Sequence, residues 1–148
     1  MKHALILGAA ALAAACSATA AISAEGTAPA PSAAAAAPPA QPSLFAGQIA
    51  PLLESNCAVC HLTGSEAGGM ALVADQAIGF LVDQPSQEVP GLKRVAPGDP
   101  DNSYLVMKLE GTHTDHGGIG AQMPFGGSPL SKEQIALVRQ WIKEGAKP

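Results

Sequence analysis

Residues 57 to 61 read Cys-Ala-Val-Cys-His, and apart from Cys16 near the start the chain has no other cysteine. Two thiols three positions apart with an imidazole directly behind them serve a short list of chemistries: a redox dithiol, a metal site or a covalent haem anchor. Each demands a different fold around it. The stretch therefore limits what the rest of the chain can be more than its length of 148 residues does.

The dithiol of thioredoxin-like enzymes belongs in a βαβ unit, and no segment here alternates apolar and polar residues as a strand does. Zinc could draw on Cys57, Cys60, His113 and His116. Structural zinc sites, however, usually leave three to five residues between the histidines and a short span between the halves. Here two residues separate the histidines, and more than fifty separate the halves. Haem attachment uses every member of the motif. Residues three apart on a helical turn project to one side, so Cys57 and Cys60 can form thioethers to one haem edge, and His61 follows to supply the proximal imidazole.

The N-terminal segment favours the compartment in which such haems are installed. Residues 1–24 read as a signal peptide: Lys2, a short apolar run, then small residues at which cleavage can follow Ala20 or Ala24. An alternative is "LAAAC" at 12–16, a lipobox-like stretch that would make Cys16 a lipidated N-terminus and tie the protein to a membrane. Residues 25–43 carry five prolines, one charge and no large apolar side chain. They are expected to form a disordered, partly extended linker. The folded unit is then 44–148.

That unit is expected to be all-α, with short helices and long loops. Ser43 can cap a helix from Leu44 towards Asn56 with Phe45, Ile49, Leu52 and Leu53 on one face, interrupted by Pro51. A weaker helix is predicted over Asp75 to Val82, and residues 89–100 are predicted as loop. Asp99-Pro100 looks like the start of a helix carrying Tyr104, Leu105, Met107 and Leu109 and ending at Gly111. Residues 111–130 hold six glycines and two prolines and read as a long loop. Ser131 and Gln134 form a capping box before a stripe of Ile135, Val138, Trp141 and Ile142.

Three phenylalanines, one tyrosine and one tryptophan are a small aromatic complement, and a domain this small often needs a bound group to complete its core. Without Lys2, acidic residues outnumber basic ones twelve to seven. That balance argues against a nucleic-acid partner and favours partners with a basic docking patch. Asp99, Asp101 and Glu110 stand near calcium-loop spacing, but Tyr104 occupies the position where such a loop requires glycine.

The chain resembles the class I c-type cytochromes over most of 44–148. "FAGQIAPLLESNCAVCH" looks like their first helix and haem motif, Met123-Pro124 like the distal-ligand loop, and "PLSKEQIALVRQWIKEGA" like the closing helix. "PGDPDNSYL" and "MPFGGSPLS" are similar to a subgroup of single-haem domains, found alone or appended to periplasmic oxidoreductases. Leu62 departs from the glycine common there, and "THTDHGG" is an unusual insertion.

The resemblance implies a small cytochrome c-like fold around one covalent haem c. It also implies periplasmic electron transfer with redox partners docking at the haem edge, and a carrier rather than an enzyme. Met123, ahead of a proline that biases it to extended backbone, would be the distal ligand in the Met/His pattern. Met107 is read as helix core, Met70 as a turn residue, and His113 and His116 as solvated loop residues. Phe45 and Trp141 are expected to pack the terminal helices together. The alternative function is a haem peroxidase or gas-sensing domain with a labile sixth ligand.

Overall fold

The computed structural model describes residues 41–148; the expected signal peptide, Cys16 and the 25–43 linker as far as residue 40 lie outside the described residues. The described part is all-α, with no strand. The helices are α1 (Ala50–Asn56), α2 (Ala77–Leu81), α3 (Tyr104–Glu110) and α4 (Lys132–Lys143), with a π-turn at Phe45–Ile49 ahead of α1 and a 3-10 turn at His113–His116.

Ser43 starts the first helical segment as expected, its Oγ accepting from the Ala46 N–H at 3.1 Å. Pro51 does not break the segment. It has no N–H for the Gly47 carbonyl, and its ring crowds that carbonyl; the turn before it widens, with the Ala50 N–H bonding Phe45 O. The widened turn lets Phe45, Ile49, Ala50 and Leu53 all face the core.

Two boundaries differ from expectation. α2 covers only Ala77–Leu81, because Val82 turns extended and pairs with Val95 in an isolated bridge. α3 starts at Tyr104, not at Pro100. The Asp99 carboxylate accepts from the Asn102 N–H at 3.3 Å and side-chain amide at 2.7 Å, so Asp99 closes a turn of its own, as aspartate does wherever its side chain competes for local donors. Ser103 Oγ then donates to Asp99 O and accepts from the Ala96 N–H. α3 ends at Gly111, whose φ of 79° satisfies the left-handed cap position.

α4 carries the full capping box, Gln134 N to Ser131 Oγ at 3.2 Å and Ser131 N to Gln134 Oε1 at 2.8 Å. It buries Val138, Trp141 and Ile142, with Ile135 half-buried. It packs on α3 and on the π-turn, where the Phe45 and Trp141 rings lie 5.4 Å apart at 37°. The Trp141 Nε1–H is satisfied by Lys147 O at 2.8 Å. This clasp joins the first and last helical segments of the described residues over the core on which the motif rests.

Candidate functional site

α1 stops at the motif. The Cys57 and Ala58 amides still bond Leu53 O, after which Cys57 leaves helical geometry (φ −128°, ψ −38°). Its carbonyl then accepts from both the Cys60 N–H at 3.1 Å and the His61 N–H at 3.0 Å. The motif is therefore one closed turn. The His61 carbonyl is pinned by the Leu72 N–H at 2.7 Å, which fixes the far side of the turn to the segment entering α2.

Cys57 is half-buried against the core and Cys60 is exposed. Burial, with the neighbouring Cys60 adding to it, pushes the Cys57 thiol up to about 11. A thiol–disulfide enzyme needs a nucleophile shifted the other way.

His61 is half-buried, and its Nδ1 is buried without a hydrogen-bond partner among the described residues. Burial lowers its pKa; the Glu66 carboxylate opposes this, and the Arg94 charge adds to it. The Ala67 carbonyl also favours the charged ring, although it makes no bond of normal geometry to Nδ1. Glu66 itself closes the turn after the motif, accepting from the Thr63 N–H, the Thr63 hydroxyl and the Gly64 N–H. Gly68, at φ +83°, lies beside His61: a Cβ there would come within 3.8 Å of His61 Cε1 and collide with Met70.

Arg94 carries no obvious sequence signal, yet it is the unusual group of this region. Only 7% exposed, its guanidinium donates to Phe80 O at 2.8 Å, Gly68 O at 2.7 Å and Gly69 O at 3.2 Å. Nε is buried and unpartnered, and no carboxylate pairs with the group among the described residues. A buried cation is normally neutralised by an anion. One bound beside His61 would supply what the protein chain does not.

Met123 stands half-buried against the same core as Cys57 and Met70, its N–H bonded to Lys108 O at 3.0 Å. No hydrogen bond joins it to the motif. Around these residues four large apolar side chains face outward: Val59 at 86% and Leu62 at 53% exposure in and beside the motif, Ile119 at 69% and Phe125 at 75% flanking Met123. Met107 is core, as expected.

The loop histidines correct the sequence reading. His116 is exposed, but His113 is buried, its Nε2 paired with Gly120 O at 3.1 Å. Glycines at 111 and 117 take left-handed backbone at either side of the 3-10 turn and fold His113 inward. Among the described residues no three of His, Cys, Asp and Glu gather as a metal-binding cluster. Asp101 and Glu110 are engaged by Arg139 instead. Two open clefts at α4, lined in part by Arg139, contain none of the motif residues.

Glu88 and Lys108 were not distinguished in the sequence. They meet at the Met123 loop, Glu88 Oε2 accepting from the Tyr104 hydroxyl and the Ile119 N–H and Lys108 Nζ reaching Ile119 O. Comparison with known protein families, with characterised proteins and with solved structures finds no match to this chain.

Proposed function

We propose that residues 44–148 form a single-haem domain of the class I c-type cytochrome kind, and that the exported protein carries single electrons between redox proteins. The observation that carries this reading is the Cys57–His61 turn, with both thiols and the imidazole on one closed backbone loop. Three features support the fit of a haem: the buried, unpartnered Nδ1 of His61, the uncompensated guanidinium of Arg94, and the apolar side chains left exposed around Met123 and the motif.

In this reading Cys57 and Cys60 would hold the group through thioethers, and His61 and Met123 would be the residues that ligate its iron. Arg94, near enough to His61 for its charge to act on the imidazole, would add positive charge beside the group. Bound there, a haem supplies one-electron Fe(III)/Fe(II) cycling at a potential raised by the thioether ligand. The chain's own part is to orient. The bond from Leu72 to the His61 carbonyl sets the imidazole's approach, and the bond to Lys108 O sets the position of Met123. The acidic surface favours redox partners with a basic patch. His113 is buried and held at Nε2 by the Gly120 carbonyl, so a peroxidase would have to draw its acid or base from the exposed His116 or free His113 from that bond.

Acid extraction followed by a pyridine haemochrome spectrum tests the reading. The haem should stay with the polypeptide and give the two-thioether spectrum; free haem in the extract, or a colourless protein, refutes it. Intact mass of the native protein should place the N-terminus near Ala21 or Glu25. A lipidated Cys16 would instead make it membrane-anchored.

A further inference from the structure

We propose that Glu88, in the loop between α2 and α3, is a positioning residue for Met123: its carboxylate holds the 118–123 segment on α3 and so determines where the Met123 thioether is presented. The inference rests on reading Met123 as a haem ligand.

The segment has little apolar anchorage of its own. Ile119 is 69% exposed, and Gly120 and Ala121 are exposed beside it. Polar contacts hold it instead. The Ile119 backbone is clamped on both sides, its N–H by Glu88 Oε2 at 3.0 Å and its carbonyl by Lys108 Nζ at 3.0 Å. The same Lys108 accepts the Met123 N–H at its backbone carbonyl, at 3.0 Å. Further along, His113 Nε2 pairs with Gly120 O, and the Gln122 side chain donates to Leu109 O at 2.6 Å.

Glu88 is the centre of this clamp, because two hydrogen-bond donors and an ammonium converge on one of its oxygens. They are the Tyr104 hydroxyl, the Ile119 N–H and, at 3.5 Å, Lys108 Nζ. An ionised carboxylate accepts from the two hydrogen-bond donors and also pairs with the ammonium, which a neutral amide cannot do. The Lys108 side chain is 9% exposed while that of Glu88 is 30% exposed, so removing the carboxylate would leave a buried ammonium unpaired, and Lys108 would have to leave Ile119 to reach water. Gly118 seals the arrangement: a Cβ there would run into the Tyr104 hydroxyl and the His113 carbonyl, so the loop backbone lies directly on α3's first residue.

The test uses the full chain with Glu88→Ala and Glu88→Gln, the latter keeping one carbonyl acceptor and the side chain's volume. Asp83→Ala is the control, since the Asp83 carboxylate pairs with Lys93 at the surface in the same loop and makes no hydrogen bond or ion pair to the Met123 segment. Amide hydrogen exchange at Ile119 and Met123 should accelerate at least about tenfold in Glu88→Ala, as loss of a hydrogen bond to a charged acceptor implies. It should accelerate less in Glu88→Gln, and amides of α4 should not change. In the oxidised protein the far-red sulfur-to-iron band should be lost or weakened in the same order, and be unchanged in Asp83→Ala.

Unchanged exchange at Ile119 and Met123 would overturn the proposal. So would acceleration spread equally over α4, which marks general destabilisation, or a loosened segment with the band at full strength. A wild-type chain without covalent haem refutes the ligand role of Met123 separately, and the exchange pattern still decides whether Glu88 holds the segment.

Discussion

Arg94 is the residue at which stability and the proposed function come apart. Replacing it by methionine keeps the apolar stem but strips the carbonyls of Phe80, Gly68 and Gly69 of their donors. Two of those bonds are short, and a bond to a charged group contributes about 1.5–3 kcal/mol. Removing a guanidinium that has no anion returns part of that, because burying a charge costs several kcal/mol. The net expected loss is about 1–3 kcal/mol, within a total stability on the order of 5–15 kcal/mol. Arg94→Lys should lose as much or more. A lysine keeps the buried charge, but its single ammonium cannot span carbonyls that the planar guanidinium reaches with separate nitrogens.

Urea unfolding followed by far-ultraviolet circular dichroism measures both variants, with unchanged m-values showing that the same surface is exposed. In the haem-loaded protein the order changes. Arg94→Met should lower the reduction potential, since a positive charge beside the iron site favours Fe(II), whereas Arg94→Lys should leave it near the wild-type value. A lysine variant as stable as wild type to within about 0.5 kcal/mol would refute the argument, because charge alone would then account for the site.

Met123→Ala should abolish the far-red band of the oxidised protein and lower its potential; an unaltered spectrum would remove Met123 from the site. Ser131→Ala breaks the capping box of α4 and should cost about 1 kcal/mol in chemical denaturation, with no change in the haem spectrum. Burial pushes the Glu88 carboxyl up, but the Tyr104 hydroxyl, the Ile119 N–H and the Lys108 charge together outweigh it and hold it below the ordinary glutamate range. Its folded form is thus the better acid. The stability it contributes should be complete at neutral pH and lost as the pH falls below the ordinary glutamate value, so wild-type and Glu88→Gln stability curves should converge in acid.

Local chemistry made several elements legible. Ser131 and Gln134 announce α4, and the spacing of Val138, Trp141 and Ile142 announces its buried face, because caps and a 3.6-residue period depend on near neighbours alone. Gly111 ends α3 for the same reason: a left-handed cap position selects glycine wherever the helix sits. The Cys57–His61 turn is likewise local, closed by hydrogen bonds within five residues.

What was misread or missed depends on contacts between distant segments. Asp99-Pro100 has the residues of a helix start, but Ser103 is drawn to the Ala96 amide and the backbone pairs Lys93 with Ser103, so α3 begins later. His113 looked like a solvated loop residue until Gly120, seven positions away, offered a carbonyl and the fold covered the ring. Arg94 and Glu88 are ordinary surface residue types in an unpatterned loop. Only the folded chain brings Gly68 and Phe80 to one and Tyr104, Lys108 and Ile119 to the other. A sequence displays the order of its residues, so it determines whatever neighbours in that order can decide. The partners of a buried charge are chosen by tertiary packing, since burial makes an unpaired polar group costly and only the fold sets which groups are within reach.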